Sequence, residues 1–383
     1  MNAWMKWFFI AVLGFSFPAY PQEDAYLISQ TRRIKFEPVF QSWKLSNFFK
    51  SIQEFSTPVE LYYPFNRQCS MTLSGGFASG KISDTLSNSN SLSGLNDAQA
   101  VIQYQPTDMN FVLSLGLALP SGKKELTLEE FNTMASLSQN MYRFETPVFG
   151  QGFCLAPGVT YAWPVSETVV LGLGASYQIK SAYTPIDIRE IKIFAPDGVS
   201  FQPGNELFIT AGADFRLGEA QTISADILWT HYDADKVNGE KRFQSGNRLM
   251  LAVHYQKAFG YNAMLFSIRY RNQAKSRVIS VVLGDTKIPF QPNEIELTGI
   301  YNLVKSERFS WKFSGDIRLF QPVEIFANIK TKRLNIFEVG AGPVWTASPT
   351  VKIPMQLKLA YGIYEGGKTM SGVTVGAGVD YQF

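Results

Sequence analysis

The last thirteen residues constrain the fold more than any other part of this chain. Between Ser371 and Phe383, Val373, Val375, Ala377, Val379, Tyr381 and Phe383 occupy alternate positions, with Thr374, Gly376, Gly378, Asp380 and Gln382 between them. Period-two alternation puts the two sets on opposite faces of an extended strand. The segment before it repeats the pattern. Val351, Ile353, Met355, Leu357, Leu359, Tyr361 and Ile363 oppose Lys352, Pro354, Gln356, Lys358, Ala360 and Gly362. The same alternation runs through 111–119, 169–179, 207–217, 249–255, 264–271, 295–303 and 311–319.

A soluble β-sandwich also alternates. Three features point instead to a barrel closed in a membrane. The polar face is rich in glycine and carries both charge signs, which suits a lumen. Tyr and Trp recur near segment ends, at Tyr161, Trp163, Trp229, Tyr232, Tyr261, Trp311, Trp345 and Tyr381, as in the aromatic girdles of membrane barrels. Connections alternate between short, as at 66–68, 218–220, 259–261 and 348–350, and long, around 82–95, 121–151, 183–204, 233–246, 274–292 and 321–332. Short periplasmic turns opposite long outer loops are the rule for such barrels. About 15 alternating segments follow residue 59, and Arg33–Trp43 is a further candidate. The expectation is all-β: one antiparallel up-and-down transmembrane barrel of about 16 strands, or 14 if the N-terminal segment is a plug.

Residues 1–22 read as a secretory signal, with Lys6 before an 11-residue apolar run, Trp7–Phe17, too short to span a bilayer. Residues 23–58 then form the first strand or a plug, and 59–383 the barrel. Composition agrees by exclusion. At 14% aromatic and 17% charged, with a net charge of +3, the chain is neither disordered nor suited to coating nucleic acid. Two cysteines and two histidines leave little material for a disulfide framework, a metal site or histidine-based catalysis. No cofactor, metal site or catalytic residue is expected.

The ending Val379-Asp380-Tyr381-Gln382-Phe383 resembles the C-terminal signal of bacterial outer-membrane barrels, with Tyr381 and Phe383 as the assembly signal read by the barrel assembly machinery. Leu92-Ser93-Gly94-Leu95-Asn96-Asp97, Leu117-Ala118-Leu119-Pro120-Ser121-Gly122 and Gly172-Leu173-Gly174-Ala175-Ser176-Tyr177 resemble the hairpins of long-chain fatty-acid and aromatic-hydrocarbon channels (FadL/TodX-like). An Asn-Pro-Ala plug motif is absent. The resemblance implies an outer-membrane location among lipids and lipopolysaccharide, a small-molecule solute, no nucleic acid, and passive uptake of hydrophobic or amphipathic compounds.

By alternation, the ionisable residues facing the lumen include Asp214, Arg216, Asp226, Arg269, Arg271, Glu296, Lys312, Asp316, Arg318, Lys352 and Lys358, with Glu60, Lys180, Glu338 and Asp380. Their near-balance of sign argues against strong ion selectivity. In 121–151, Thr127-Leu128-Glu129-Glu130 forms a capping box, and Leu128, Phe131 and Met134 share one face of the helix it starts. Tyr142, Phe144 and Phe149 follow. This stripe either packs on the rim or inside the lumen, or captures apolar solutes; Leu128, Phe131, Met134, Tyr142 and Phe144 are the candidate substrate contacts. Glu129, Glu130 and Glu145 keep a general diffusion porin open as an alternative, and a structural or enzymatic barrel with a closed lumen as another. Residues 83–93 read as a polar low-complexity loop, and 278–284 as a strand continuing above the membrane.

Overall fold

A computed structural model describes residues 29–45, 51–83, 89–107, 109–187, 199–279, 284–326 and 329–383; the expected signal, 1–22, lies outside them. Sixteen antiparallel strands close on themselves. They are β1 (Arg33–Phe36 and Val39–Leu45), β2 (Ser51–Pro64), β3 (Cys69–Ser83), β4 (Ser89–Leu95 and Ala98–Tyr104) and β5 (Phe111–Leu119). Next come β6 (Cys154–Pro164), β7 (Val169–Lys180), β8 (Glu206–Gly218), β9 (Gln221–Tyr232), β10 (Arg248–Phe259) and β11 (Asn262–Gln273). The series ends with β12 (Glu294–Ser306), β13 (Phe309–Phe320), β14 (Leu334–Ser348), β15 (Val351–Tyr364) and β16 (Thr369–Ala377 and Val379–Gln382). Each strand pairs with its sequence neighbours, and β1 closes on β16, Ile34 opposite Tyr381 and Trp43 opposite Gly372. Arg33–Trp43 is therefore a wall strand, and the sixteen-strand reading holds over the fourteen.

Closure leaves no unpaired edge, the condition for a sheet to sit in lipid. The outward face supplies the apolar band: Leu173, Val339, Leu359, Leu357, Phe266 and Ile268 are all exposed. Tyr161, Trp163, Trp345, Tyr381 and Phe383 lie exposed toward strand ends, with Tyr381 and Phe383 stacked 5.5 Å apart. No described helix is long and apolar enough to cross a membrane; the chain crosses with strands. Cys69 and Cys154 are free, at opposite ends of the wall.

The long connections share one end, and there the inside–outside rule inverts. In the first half of β4, Ser89, Ser91 and Ser93 point outward and exposed, while Leu92 points inward, 1% exposed. This corrects the expectation of a polar loop over 83–93 and shortens the one placed around 82–95: Ser89–Leu95 is strand. Such a strand rises past the lipid, so its outer face meets water, and its inner face meets apolar material filling the lumen. Ser276–Val278 is likewise strand, in a five-stranded outer sheet with Phe201–Gln202, Ala234–Val237, Glu240–Gln244 and Thr286–Ile288. Residues 280–283 lie outside the described residues.

The closing seam has an irregular belt. Pro354 of β15, Gly378 of β16, Pro38 of β1 and Pro58 of β2 lie at one level, between the two halves of β1 and β16. Their carbonyls are still used. Gly378 N–H donates to Pro354 O at 2.9 Å, Ala377 N–H to Pro38 O at 3.2 Å and Glu37 N–H to Pro58 O at 3.2 Å. Just below, Arg33 grips the Asp380 carboxylate with two hydrogen bonds of 2.7 and 2.6 Å.

Candidate functional site: a constriction inside the lumen

The connection 120–153 enters the barrel rather than standing over it. Its two ends are tied at the interruption of β4. The Asp97 carboxylate accepts from Gly122 N–H at 2.9 Å and Gln151 N–H at 2.7 Å, and Asp97 N–H donates to Phe149 O at 2.9 Å. The stretches 92–97 and 117–122, singled out in the sequence, thus meet at the loop's root. Gly122 is required there, since a Cβ on it would lie 2.0 Å from Phe149 O.

Helix α1 (Leu128–Leu137) follows. Thr127 caps it: its hydroxyl accepts from Glu130 N–H at 3.2 Å, and the Glu130 carboxylate accepts from Thr127 N–H at 3.2 Å, the reciprocal pair read from the sequence. Leu137 is buried against β3, where Gly80 makes room: a Cβ at 80 would meet the Leu137 side chain at 2.4 Å. Phe131 and Met134 pack half-buried on the apolar cluster, whereas Leu128 is 43% exposed.

Beyond the helix the chain crosses the lumen in turns and bends, held from both walls. On one wall, Trp43 Nε1–H donates to Tyr142 O at 3.2 Å, Gln41 donates to Arg143 O and accepts from Glu145 N–H, both at 3.1 Å, and Glu54 accepts from Thr146 N–H at 2.9 Å. On the other, Arg318 Nη1–H donates to Met141 O at 2.8 Å and the Tyr364 hydroxyl reaches Met141 S at 3.3 Å. Tyr142 and Phe144 are buried in one cluster with Trp43, Ile52, Leu92, Phe320 and Ile336. Burial pushes the Tyr142 phenol above its ordinary range, so it remains neutral.

Between these anchors Arg143 adopts φ +53°, the left-handed region that L side chains seldom occupy. That turn aims its guanidinium at a wall of carboxylates: Glu296 at 2.6 Å, Glu294 at 3.4 Å and Asp316 at 3.7 Å. The wall is itself laced with cations. Arg269 pairs with Glu296 and Arg271 with Glu294, the latter at 2.6 Å. Asp316 and Glu338 stand directly opposite across β13 and β14, a repulsive pairing on its own. Arg318, fully buried, relieves it, 2.9 Å from Asp316 and 3.7 Å from Glu338, while Lys358 lies 3.4 Å from Glu338. Gly340, opposite Lys358, leaves space for that arm; a Cβ there would sit 2.8 Å from Lys358 Cγ.

Of the charges expected in the lumen, the structure thus gathers Arg269, Arg271, Glu296, Asp316, Arg318 and Lys358 at the constriction, with Lys312 inward on the same wall. Asp214 and Asp226 lie on β8 and β9 beside His254, whose Nε2 is 3.9 Å from Asp226. Arg216 donates to Gly218 O at 2.9 Å by the periplasmic turn, and Lys352 lies low on β15 opposite Asp380. Arg143, Glu294, Gln41, Trp43 and Glu54 were not singled out by sequence. Glu294 carried a signal, two positions before Glu296 on the same face; Arg143 carried none, because a loop has no period.

No family model matches the chain, and no curated protein matches it in sequence. Solved structures similar in fold include a monoaromatic hydrocarbon channel, CymD, at 12% identity and TM-score 0.45, covering 94% of this chain and 90% of that one. Others are OccK5 (OpdH) of Pseudomonas aeruginosa, at 10% identity and TM-score 0.48, covering 92% and 98%, and a Rh. blastica porin variant, at 12% identity and TM-score 0.36, covering 92% and 100%. The class follows from the barrel itself: sixteen strands closed without an edge, apolar outside and ionic within. The chain is an outer-membrane β-barrel.

Proposed function

We propose that the protein is an outer-membrane channel for passive uptake of small compounds, hydrophobic or amphipathic ones above others. The reading rests on one observation: a single long loop, fixed to both walls, narrows a lumen whose charged wall is still open to solvent. Arg269 is 40% exposed although it faces inward, and Lys358 and Arg143 are each 36% exposed. A barrel kept only as a scaffold has no need of solvent-reachable charge beside a structured constriction. The preference for apolar solutes is supported by α1, which offers Leu128 with Phe131 and Met134 behind it; Tyr142 and Phe144 act as the buried footing of that surface. The assembly role of Tyr381 and Phe383 belongs to the same proposal, as does export through the segment 1–22.

The test is Leu128→Asn, which changes an exposed side chain and leaves the loop's anchors intact. Burial of an apolar solute is driven by area, at about 25 cal/mol per Å². Uptake of a labelled apolar compound into proteoliposomes should therefore fall severalfold, with swelling by small sugars unchanged. Equal apolar uptake in the folded variant would remove the capture surface from the proposal. A general diffusion porin is the second reading, favoured by Glu145, which projects from the loop within electrostatic reach of Lys358 and Lys35. A porin would instead show altered sugar or ion permeation when Glu145 is changed to Gln. A closed barrel, structural or enzymatic, would conduct nothing.

A further inference from the structure

Charge of the two signs is distributed unequally in depth at the constriction. The carboxylates lie behind: Glu294 is 6% exposed, Glu296 8%, Asp316 11% and Glu338 19%. The cations lie in front: Arg269 is 40% exposed, Arg143 and Lys358 36% each, and Lys312 is exposed on the same inward face of β13. Glu145 is the one exposed carboxylate of the loop segment between Met141 and Thr146. Lys35 and Glu37, lower on β1, pair with each other at 2.6 Å and contribute little net field.

A balanced residue count therefore conceals a polarised surface. Coulomb interaction falls with distance and with the water between charges. A solute in the passage meets guanidinium and ammonium groups directly and the carboxylates only through them. Two details show that this arrangement is built in. Arg143 holds a left-handed backbone to place its guanidinium there, and Gly340 gives up a side chain to clear the Lys358 arm. Arg271 and Arg318, which neutralise the buried acids from behind, are 15% and 1% exposed, so the exposed cations are not needed one-for-one to balance the wall.

We infer that the constriction is anion-selective and that Arg143, Arg269, Lys312 and Lys358 form its recognition surface for small oxyanion groups. The inference rests on the proposed channel reading. In planar bilayers under a tenfold KCl gradient, the full-length protein should show a reversal potential of the sign that marks chloride as the more permeant ion. Replacing chloride by methanesulfonate should preserve that preference over potassium. Among the described residues Lys312 has no carboxylate within salt-bridge distance, so Lys312→Gln removes a front-rank charge without stranding a buried acid; it should lower the chloride-to-potassium permeability ratio about twofold. Lys358→Gln should act in the same direction and serves if the first variant fails to assemble. Conductance with cation preference, or a ratio unmoved by both variants, overturns the inference and leaves the channel reading standing. Absence of conductance overturns both.

Discussion

Arg143 ties the loop to the barrel wall through a single side chain. It accepts a left-handed backbone, a cost of about 1 kcal/mol, and is held there by Glu294, Glu296 and Asp316. Arg143→Gln keeps the strain and loses the ion pairs. The loop segment between Met141 and Thr146 should then leave the wall part of the time, and single-channel recordings should show a larger, noisier conductance than the parent. An unchanged conductance would mean that Gln41, Trp43 and Arg318 suffice to hold the segment. Gly122 is a residue of the opposite kind, defined by what it lacks. Gly122→Ala forces a methyl group against Phe149 O and the Asn96–Asp97 backbone. It should destabilise the loop's root by about 2 kcal/mol or more, seen as protease cleavage within 120–153 while the barrel stays intact. Neither residue was legible in the sequence. Arg143 sits in an aperiodic stretch, and Gly122 looks like an ordinary turn glycine until the partner strand is known. The inward charges on β11, β13 and β15 were legible, because alternation alone assigns their face.

At the scale of elements, the capping box is the clearest case of sequence dictating structure. Thr127 and Glu130 start α1 at the expected residue. Thr127→Ala removes one acceptor and should cost about 1 kcal/mol of local stability. Hydrogen exchange should accelerate in Leu128–Leu137 and not in the wall strands; uniform protection of α1 in the variant would show that packing on β3 and β4, not the cap, holds the helix. The strands divide differently. Their lower portions obey the alternation used to find them. Their upper portions, as in β4 at Ser89–Leu95, invert it, and for this reason the sequence there looks like a polar loop. No local pattern could have revealed that inversion. The inner face of an outer strand end is apolar only because loop 120–153 fills the lumen, and that packing brings together residues far apart in sequence.

For the molecule as a whole, closure governs how it resists denaturation. With no free edge for detergent to open, the unheated protein should migrate faster on SDS gels than the boiled one; identical mobility would contradict a closed barrel. Removing Phe383, stacked on Tyr381 at the end of β16, should lower the yield of the fast-migrating form in cells while leaving the electrophoretic shift of whatever assembles. The proline belt at the seam has its own consequence for how the cylinder is finished. A slip of one residue between β1 and β16 turns every side chain to the wrong face and is rejected by solvation. A slip of two keeps all faces correct, so alternation cannot reject it. Pro38 can: it lacks an amide proton, its carbonyl accepts from Ala377 N–H across the seam, and only the native alignment sets its gap beside Gly378, where β16 is itself interrupted. Displaced by two, the missing proton of Pro38 would leave a carbonyl of β16 in a regular ladder without a donor. The chain thus carries a vernier for its own last step, two marks that coincide at a single setting.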